Sequence, residues 1–113
     1  MNDHYVKILG ARGSVPVSGK EFIQFGGATS SFFVNLSGTV LVVDAGSGLC
    51  KLTKDISELN RLDLLLTHLH LDHLLGLPLC PFILQKNKNL TIHMPESWSQ
   101  DAEERLMRLF SPP

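Results

Sequence analysis

The junction between a short apolar run, Leu62–Leu66, and the segment THLHLDH (67–73) most constrains how this chain folds. The run is almost wholly apolar, which predicts a strand buried on both faces of a sheet. Three of the chain's five histidines and one aspartate follow it within residues 68–73. Because open α/β sheets bind ligands beyond the carboxyl ends of their strands, we predict a functional site at the end of this strand.

The spacing of the polar residues in this segment predicts metal binding. Side chains alternate along an extended chain, so His68 and His70 lie on one side, roughly 6–7 Å apart, and can converge on one ion. A turn into a short helix ended by Gly76 then directs Asp72 and His73 toward a second ion. Imidazole and carboxylate donors favour zinc, with manganese and iron as alternatives. Two adjacent ions sharing a hydroxide would supply a nucleophile at neutral pH. The alternative is a polar loop in which Asp72 caps the following helix.

The remaining hydrophobic pattern predicts an α/β fold: a mixed sheet with helices on one face. Strands are predicted at Tyr5–Leu9, Ser31–Leu36, Thr39–Val43 and Leu90–His93, with a hairpin turn at Ser37-Gly38. The glycine-rich segment 10–31 is predicted to be an irregular loop. The sequence offers little that would cover the second face of this sheet.

Two helices are predicted from apolar residues at helical spacing. The first carries Leu49, Leu52, Ile56 and Leu59 on one face. The second begins near Ser97, which forms a capping box with Gln100. Its predicted apolar face comprises Trp98, Ala102, Leu106, Leu109 and Phe110.

Composition narrows the functional classes. The net charge of −1 and pI of about 6.5 provide no attraction to nucleic acid or to an anionic membrane. The N-terminus lacks the pattern of a signal peptide, and the apolar run Leu74–Leu84 is too short to span a bilayer. We therefore expect a cytoplasmic protein with no membrane partner. Cys50 and Cys80 are expected to be buried thiols, with a single disulfide as the alternative.

Four segments together resemble the metallo-β-lactamase superfamily, and its branch containing ribonuclease Z and the phosphoribosyl cyclic phosphodiesterases. HLHLDH (68–73) matches the superfamily signature HxHxDH. GARGSVPVSG (10–19), FGGATSSFFV (25–34) and LVVDAGSG (41–48) are similar to the branch. The resemblance implies the N-terminal half of an αββα sandwich, with residues 1–113 forming part of a domain truncated after Pro113.

The resemblance also assigns roles to particular residues. It implies that His68 and His70 ligate a first divalent ion, and Asp72 and His73 a second. Asp72 would also help to protonate the leaving group. Asp44 and Thr67 would support the ligands by hydrogen bonding; the alternative for both is an ordinary residue at a strand end. Gly26–Ser31 would either offer backbone N–H groups to a substrate phosphate or form a tight turn, and the turn is favoured.

The ligand set implied by the resemblance is incomplete in this chain. The superfamily adds a histidine, a bridging aspartate and a last histidine downstream, whereas neither His4 nor His93 matches such a position. Two hypotheses follow. The first is a metal-dependent hydrolase acting on a small phosphodiester or an RNA end, with a thioester or lactam as alternative substrates. The second is a catalytically inert fragment or partner-binding module. In either case self-association or a missing C-terminal half would cover the exposed sheet face.

Overall fold

The computed structural model describes residues 4–52, 59–78, 80, 82, 85–95 and 101–108. It contains strands β1 (His4–Gly10), β2 (Ser31–Leu36), β3 (Thr39–Val43), β4 (Arg61–Leu65) and β5 (Asn89–His93), and helix α1 (Ala102–Met107). Short 3-10 helices span Lys20–Phe22, Ser47–Lys51 and Leu71–His73. The predicted strands are all present.

The five strands form one mixed sheet in the order β1-β2-β3-β4-β5. The first two pairs are antiparallel, and the β3–β4 and β4–β5 pairs are parallel. The β2–β3 hairpin closes through Ser37 and Gly38, whose φ angles of 53° and 96° suit a tight hairpin turn. The parallel strands place Asp44 and Leu66, the residues that follow β3 and β4, at the same edge of the sheet.

The core lies on one face of the sheet. Phe33, Val42, Leu64 and Ile92 are in register across β2 to β5 and point to this face. Helical and loop residues pack over them, including Leu49, Leu52, Leu74, Leu77, Cys80, Phe82 and Leu106. The predicted α/β class, with helices on one face of a mixed sheet, is therefore confirmed.

The opposite face of the sheet, which we call the open face, carries exposed apolar side chains. Val6, Ile8, Leu36 and Leu65 are 60%, 66%, 52% and 36% exposed. The prediction that the strand at 62–66 is buried on both faces is therefore wrong for this chain. Leu62 and Leu64 are buried in the core, but Leu65 points to the open face, where no described element packs.

Neither predicted helix is observed in full. The first differs from its prediction, and part of the second lies outside the described residues. The segment after β3 forms a 3-10 helix that ends at Leu52, whose φ and ψ of −82° and 74° are not helical. One continuous helix through Leu52 is thus not observed, and Ile56 lies outside the described residues. The capping box at Ser97 and Gln100 also lies outside them, as do Trp98, Leu109 and Phe110.

Two further expectations concern the cysteines and the membrane. Both cysteines are free thiols, with Cys80 buried and Cys50 partly buried. Within the described parts of the chain, no helix has the length and apolar character needed to cross a membrane.

Candidate metal centre

Asp44 directly follows β3, in a backbone conformation that turns its carboxylate toward the neighbouring strand. Its φ of 60° is left-handed, a region that aspartate tolerates better than most residues. Its amide donates to the carbonyl of Leu65 at 2.8 Å, and its side chain is buried, with 3% exposure for the residue. A buried carboxylate needs hydrogen-bond partners, and these come from the end of β4.

Thr67 supplies two of those partners. Its amide donates to Asp44 Oδ1 and its hydroxyl to Asp44 Oδ2, each at 2.8 Å. The same hydroxyl lies 2.9 Å from Nδ1 of His68. Because the hydroxyl proton is already donated to Asp44, the oxygen accepts from Nδ1–H of His68. That tautomer places the lone pair on Nε2, the ring atom that would ligate a metal ion.

Backbone contacts hold the rest of the histidine-rich segment. The chain is extended at His70 and then turns through the 3-10 helix Leu71–His73. The amide of Ala45 donates to the carbonyl of His73 at 2.8 Å, and the amide of Gly76 donates to the carbonyl of Ala45 at 2.9 Å. A Cβ at Gly76 would lie 2.0 Å from the carbonyl oxygen of Gly46, so this packing requires glycine. The segment is thus fastened to the chain that follows β3.

The four predicted ligands lie together at this edge of the sheet. The ring centroids of His68 and His70 are 4.4 Å apart, and those of His68 and His73 are 4.0 Å apart. His73 Nε2 lies 3.4 Å from Asp72 Oδ2. His73 Nδ1 lies 2.9 Å from Asp44 Oδ2, but the N–H is not aligned for a hydrogen bond, so Nδ1 is a buried atom without a hydrogen-bond partner. The contact with Asp44 is therefore electrostatic.

Asp72 is held by the glycine-rich loop. The amide of Ser14, 58 residues earlier, donates to Asp72 Oδ2 at 3.1 Å. This hydrogen bond lowers the pKa of Asp72 despite the opposing effect of burial, and the charges of His73 and His70 act in the same direction. Asp72 is therefore ionised at neutral pH, which is the form that binds a metal. It does not cap the 3-10 helix that it enters, because that helix has no side-chain cap.

These donors suit a divalent ion in chemistry but do not complete a site. All four are imidazole nitrogens or carboxylate oxygens, which fits zinc, manganese or iron. Among the described residues, however, no group of three or more histidine, cysteine, aspartate or glutamate side chains is arranged to hold one ion. A catalytic zinc site ordinarily has three protein ligands. Whether the ligand set is incomplete stays a prediction.

The other histidines have different partners. His4 Nε2 contacts the hydroxyl of Ser37 at 2.6 Å, at the edge of the sheet away from the site. His93 Nε2 contacts Asp63 Oδ1 at 2.9 Å on the open face. In the Gly26–Ser31 segment the amide of Thr29 donates to the hydroxyl of Ser47 at 2.9 Å, so it serves the fold. The contact of Ser14 with Asp72 was not predicted; its only signal was the presence of GARGS among the resembling segments.

The sheet and the candidate site indicate the class of protein, and a sequence comparison identifies its family. A mixed sheet covered on one face, with a histidine-rich loop at the carboxyl end of a parallel strand, defines an α/β protein with a candidate metal centre. Residues 25–107 match the model of the metallo-β-lactamase superfamily, and the chain belongs to that superfamily. Its members are generally hydrolytic and typically bind divalent metals.

A solved structure supports the same fold. The chain is similar to a candidate metallo-β-lactamase from Thermotoga maritima, with a TM-score of 0.52 and 23% identity. The match covers 95% of this chain and 52% of the other, so this chain spans about half the length of that protein. At this identity the likeness shows the fold alone. A comparison with curated proteins found no match.

Proposed function

We propose that this chain supplies four ligands of a metal-dependent hydrolase that cleaves a phosphodiester, either a small cyclic nucleotide phosphate or an RNA end. One observation carries the proposal: His68, His70, Asp72 and His73 lie together at a strand end, with Asp44 and Thr67 beside them. The phosphodiester preference depends on the resemblance of GARGS and GGATSS to the branch containing ribonuclease Z and the phosphoribosyl cyclic phosphodiesterases.

Each residue has a role in this proposal. His68 and His70 hold one divalent ion, and Asp72 and His73 hold another; zinc is favoured, with manganese or iron as alternatives. When bound, the ions supply an activated water and stabilise negative charge on the phosphate oxygens. Thr67 fixes the tautomer of His68, and Asp44 orients both Thr67 and His73. Asp72, ionised at neutral pH, additionally helps to protonate the leaving group by accepting a proton from the attacking water and passing it on.

The proposal requires ligands beyond these four. The open face supports the idea that a further layer packs there, because exposed apolar patches of this kind mark interaction surfaces. We place the remaining ligands in that layer, contributed by a C-terminal half or by a second copy of the chain.

The test is metal binding by the protein purified without chelators. We expect zinc, manganese or iron to be present or taken up, and His68→Ala to weaken binding at least about tenfold through loss of a ligand. His4→Ala is the matched control, because His4 contacts Ser37 at the far edge of the sheet. A protein that contains none of the three metals and takes up none on addition would contradict the proposal.

A second candidate function is a catalytically inert, partner-binding module. It is favoured by the lack of a three-ligand group among the described residues and by the exposed apolar side chains of the open face. Hydrolysis of bis(p-nitrophenyl) phosphate by the isolated chain, abolished in His68→Ala, would rule this candidate out.

A further inference from the structure

The loop between β1 and β2 carries one arginine whose surroundings suit anion binding. The backbone amide of Arg12 donates to the carbonyl of Ala28 at 3.1 Å, and Arg12 pairs with Thr29 in an isolated bridge. A Cβ at Gly10 would lie 2.0 Å from the carbonyl oxygen of Thr29, so the two segments are closely packed. We call residues 10–12 and 28–29, which pack together where the loop begins and ends, the base of the loop. The backbone position of Arg12 is therefore fixed by this base.

This base is joined to the candidate metal centre by two independent connections. Thr29 and Ser47 exchange hydrogen bonds of 2.9 and 2.7 Å, and Ser47 follows the Asp44–Gly46 turn. Two residues after Arg12, the amide of Ser14 donates to Asp72. Arg12 thus belongs to the segment that touches a proposed metal ligand.

The side chain of Arg12 is held in place while its terminal nitrogens stay available. Nε donates to the carbonyl of Val15 at 2.8 Å, and the guanidinium carbon lies 5.1 Å from the centroid of the Phe22 ring. No carboxylate in the described ranges pairs with it; Glu21, the neighbour of Phe22, makes no such contact. No carboxylate of the described residues therefore neutralises the positive charge of the partly buried Arg12 guanidinium, which can bind an anionic ligand.

We propose that Arg12 binds the phosphate group of the substrate, a specificity role that rests on the proposed phosphodiester hydrolysis. A guanidinium presents two parallel N–H groups that match two oxygens of a phosphate. Stacking on Phe22 and the hydrogen bond to Val15 restrict its rotation, so little conformational entropy is lost when the anion binds. Asp72, the proposed ligand that the amide of Ser14 contacts, is an anion that would repel a phosphodiester. A cation in the same loop offsets that repulsion and selects an anionic substrate over a neutral ester or lactam.

The test compares metal-loaded wild type with Arg12→Ala and Arg12→Lys, using bis(p-nitrophenyl) phosphate as the anionic probe and p-nitrophenyl acetate as the neutral one. We expect Arg12→Ala to raise both KM and the calorimetric Kd for the anionic probe by about 10- to 100-fold. Metal content and turnover of the neutral ester should stay unchanged. Arg12→Lys keeps the charge without the planar fork and should recover only part of the affinity. Lys20→Ala, an exposed cation in the same loop, is the matched control.

The outcomes separate this inference from the proposed function. Hydrolysis of the anionic probe with the same KM and Kd in Arg12→Ala and wild type would overturn the role of Arg12 and leave the hydrolase proposal standing. Binding of the anionic probe that depends on Arg12 would support the phosphate site even without hydrolysis, because the hydrolase proposal requires ligands beyond the four proposed here. Equal losses on the anionic and the neutral probe would also overturn the role, because they would indicate a structural effect on the loop.

Discussion

Thr67 donates two hydrogen bonds to the two carboxylate oxygens of Asp44, each 2.8 Å long, although the residues lie 23 positions apart. They follow adjacent parallel strands, so the contact fixes the start of the histidine-rich segment against the end of β3. The candidate ligands that follow Thr67 take their position from this pair.

Asp44→Ala should lower the free energy of unfolding by about 2–4 kcal/mol. The change removes the acceptor of two partly buried Thr67 hydrogen bonds and places alanine at a positive φ, and each effect costs on the order of 1–3 kcal/mol. Urea denaturation measures the loss. Glu21→Ala removes an exposed carboxylate and should change stability by less than about 0.5 kcal/mol. A loss in Asp44→Ala as small as in Glu21→Ala would show that the pair does not hold the segment.

Gly76→Ala should destabilise the protein, whereas Gly13→Ala should not. A Cβ at Gly76 would meet the backbone carbonyl of Gly46 at 2.0 Å, so the histidine-rich segment must shift, at a cost of about 1–3 kcal/mol or more. A Cβ at Gly13 would meet nothing within 4 Å and should leave stability unchanged or raise it by up to about 1 kcal/mol. Equal urea midpoints for the two variants would contradict the packing described around Gly76.

Asp63→Asn should remove part of the pH dependence of stability in acid. The hydrogen bond from Arg61 lowers the pKa of Asp63 most, and the hydrogen bond from His93 lowers it further. The unfolded carboxyl titrates near 3.8. A depressed folded pKa gives stability that is fully present above the unfolded value and is lost as the pH falls through the folded value.

The corresponding measurement is the urea midpoint of wild type and Asp63→Asn between pH 6 and pH 3. The variant should be less stable near pH 6, and the difference should shrink as the pH falls below about 4, where the unfolded carboxyl binds protons before the folded one does. Glu21→Gln, which removes an exposed carboxylate without these partners, is the matched control. A stability difference between wild type and Asp63→Asn that grows on acidification would show that the hydrogen bonds to Asp63 do not stabilise its ionised form.

Ile8→Thr on the open face should reduce association of the protein without unfolding it. The side chain is 66% exposed, and threonine keeps the β propensity of the strand. We expect lower binding of an apolar dye and weaker self-association in sedimentation, with stability changed by less than about 0.5 kcal/mol. Leu64→Ala, on the covered face of the same sheet, should cost about 2–5 kcal/mol. Comparable destabilisation by both changes would indicate that the open face is covered.

The parts of the fold that depend on local signals could be predicted from the sequence. β2 and β3 begin and end where the alternation and the Ser37-Gly38 turn place them, because a two-residue turn fixes the register of its hairpin. Burial of Leu65 was predicted wrongly, because burial depends on what packs against a strand and not on the strand's own composition. The helix through Leu52 was also not observed, since apolar spacing alone does not distinguish an α-helix from the short 3-10 helix Ser47–Lys51.

In the candidate site, too, some features could be predicted from the sequence and others could not. Residue type and position after a strand were enough to select His68, His70, Asp72 and His73 as ligand candidates, and their ligation stays a prediction. The hydrogen bond from Ser14 to Asp72 could not be predicted, because a backbone N–H donor leaves no mark on residue type. The role proposed for Arg12 depends on Phe22 and Val15, whose contacts only the folded loop reveals.

The parallel pairing of β3 with β4 also sets the order in which the site can assemble. The β2–β3 hairpin closes through two residues, whereas Asp44 meets Thr67 only after the chain from 44 to 67 has crossed over and β4 has docked. Contacts distant in sequence carry a larger loop-closure cost and form later. The proposed metal ligands therefore come together at a late step of folding, and a metal ion bound by them would stabilise the finished sheet instead of guiding its first strands into place.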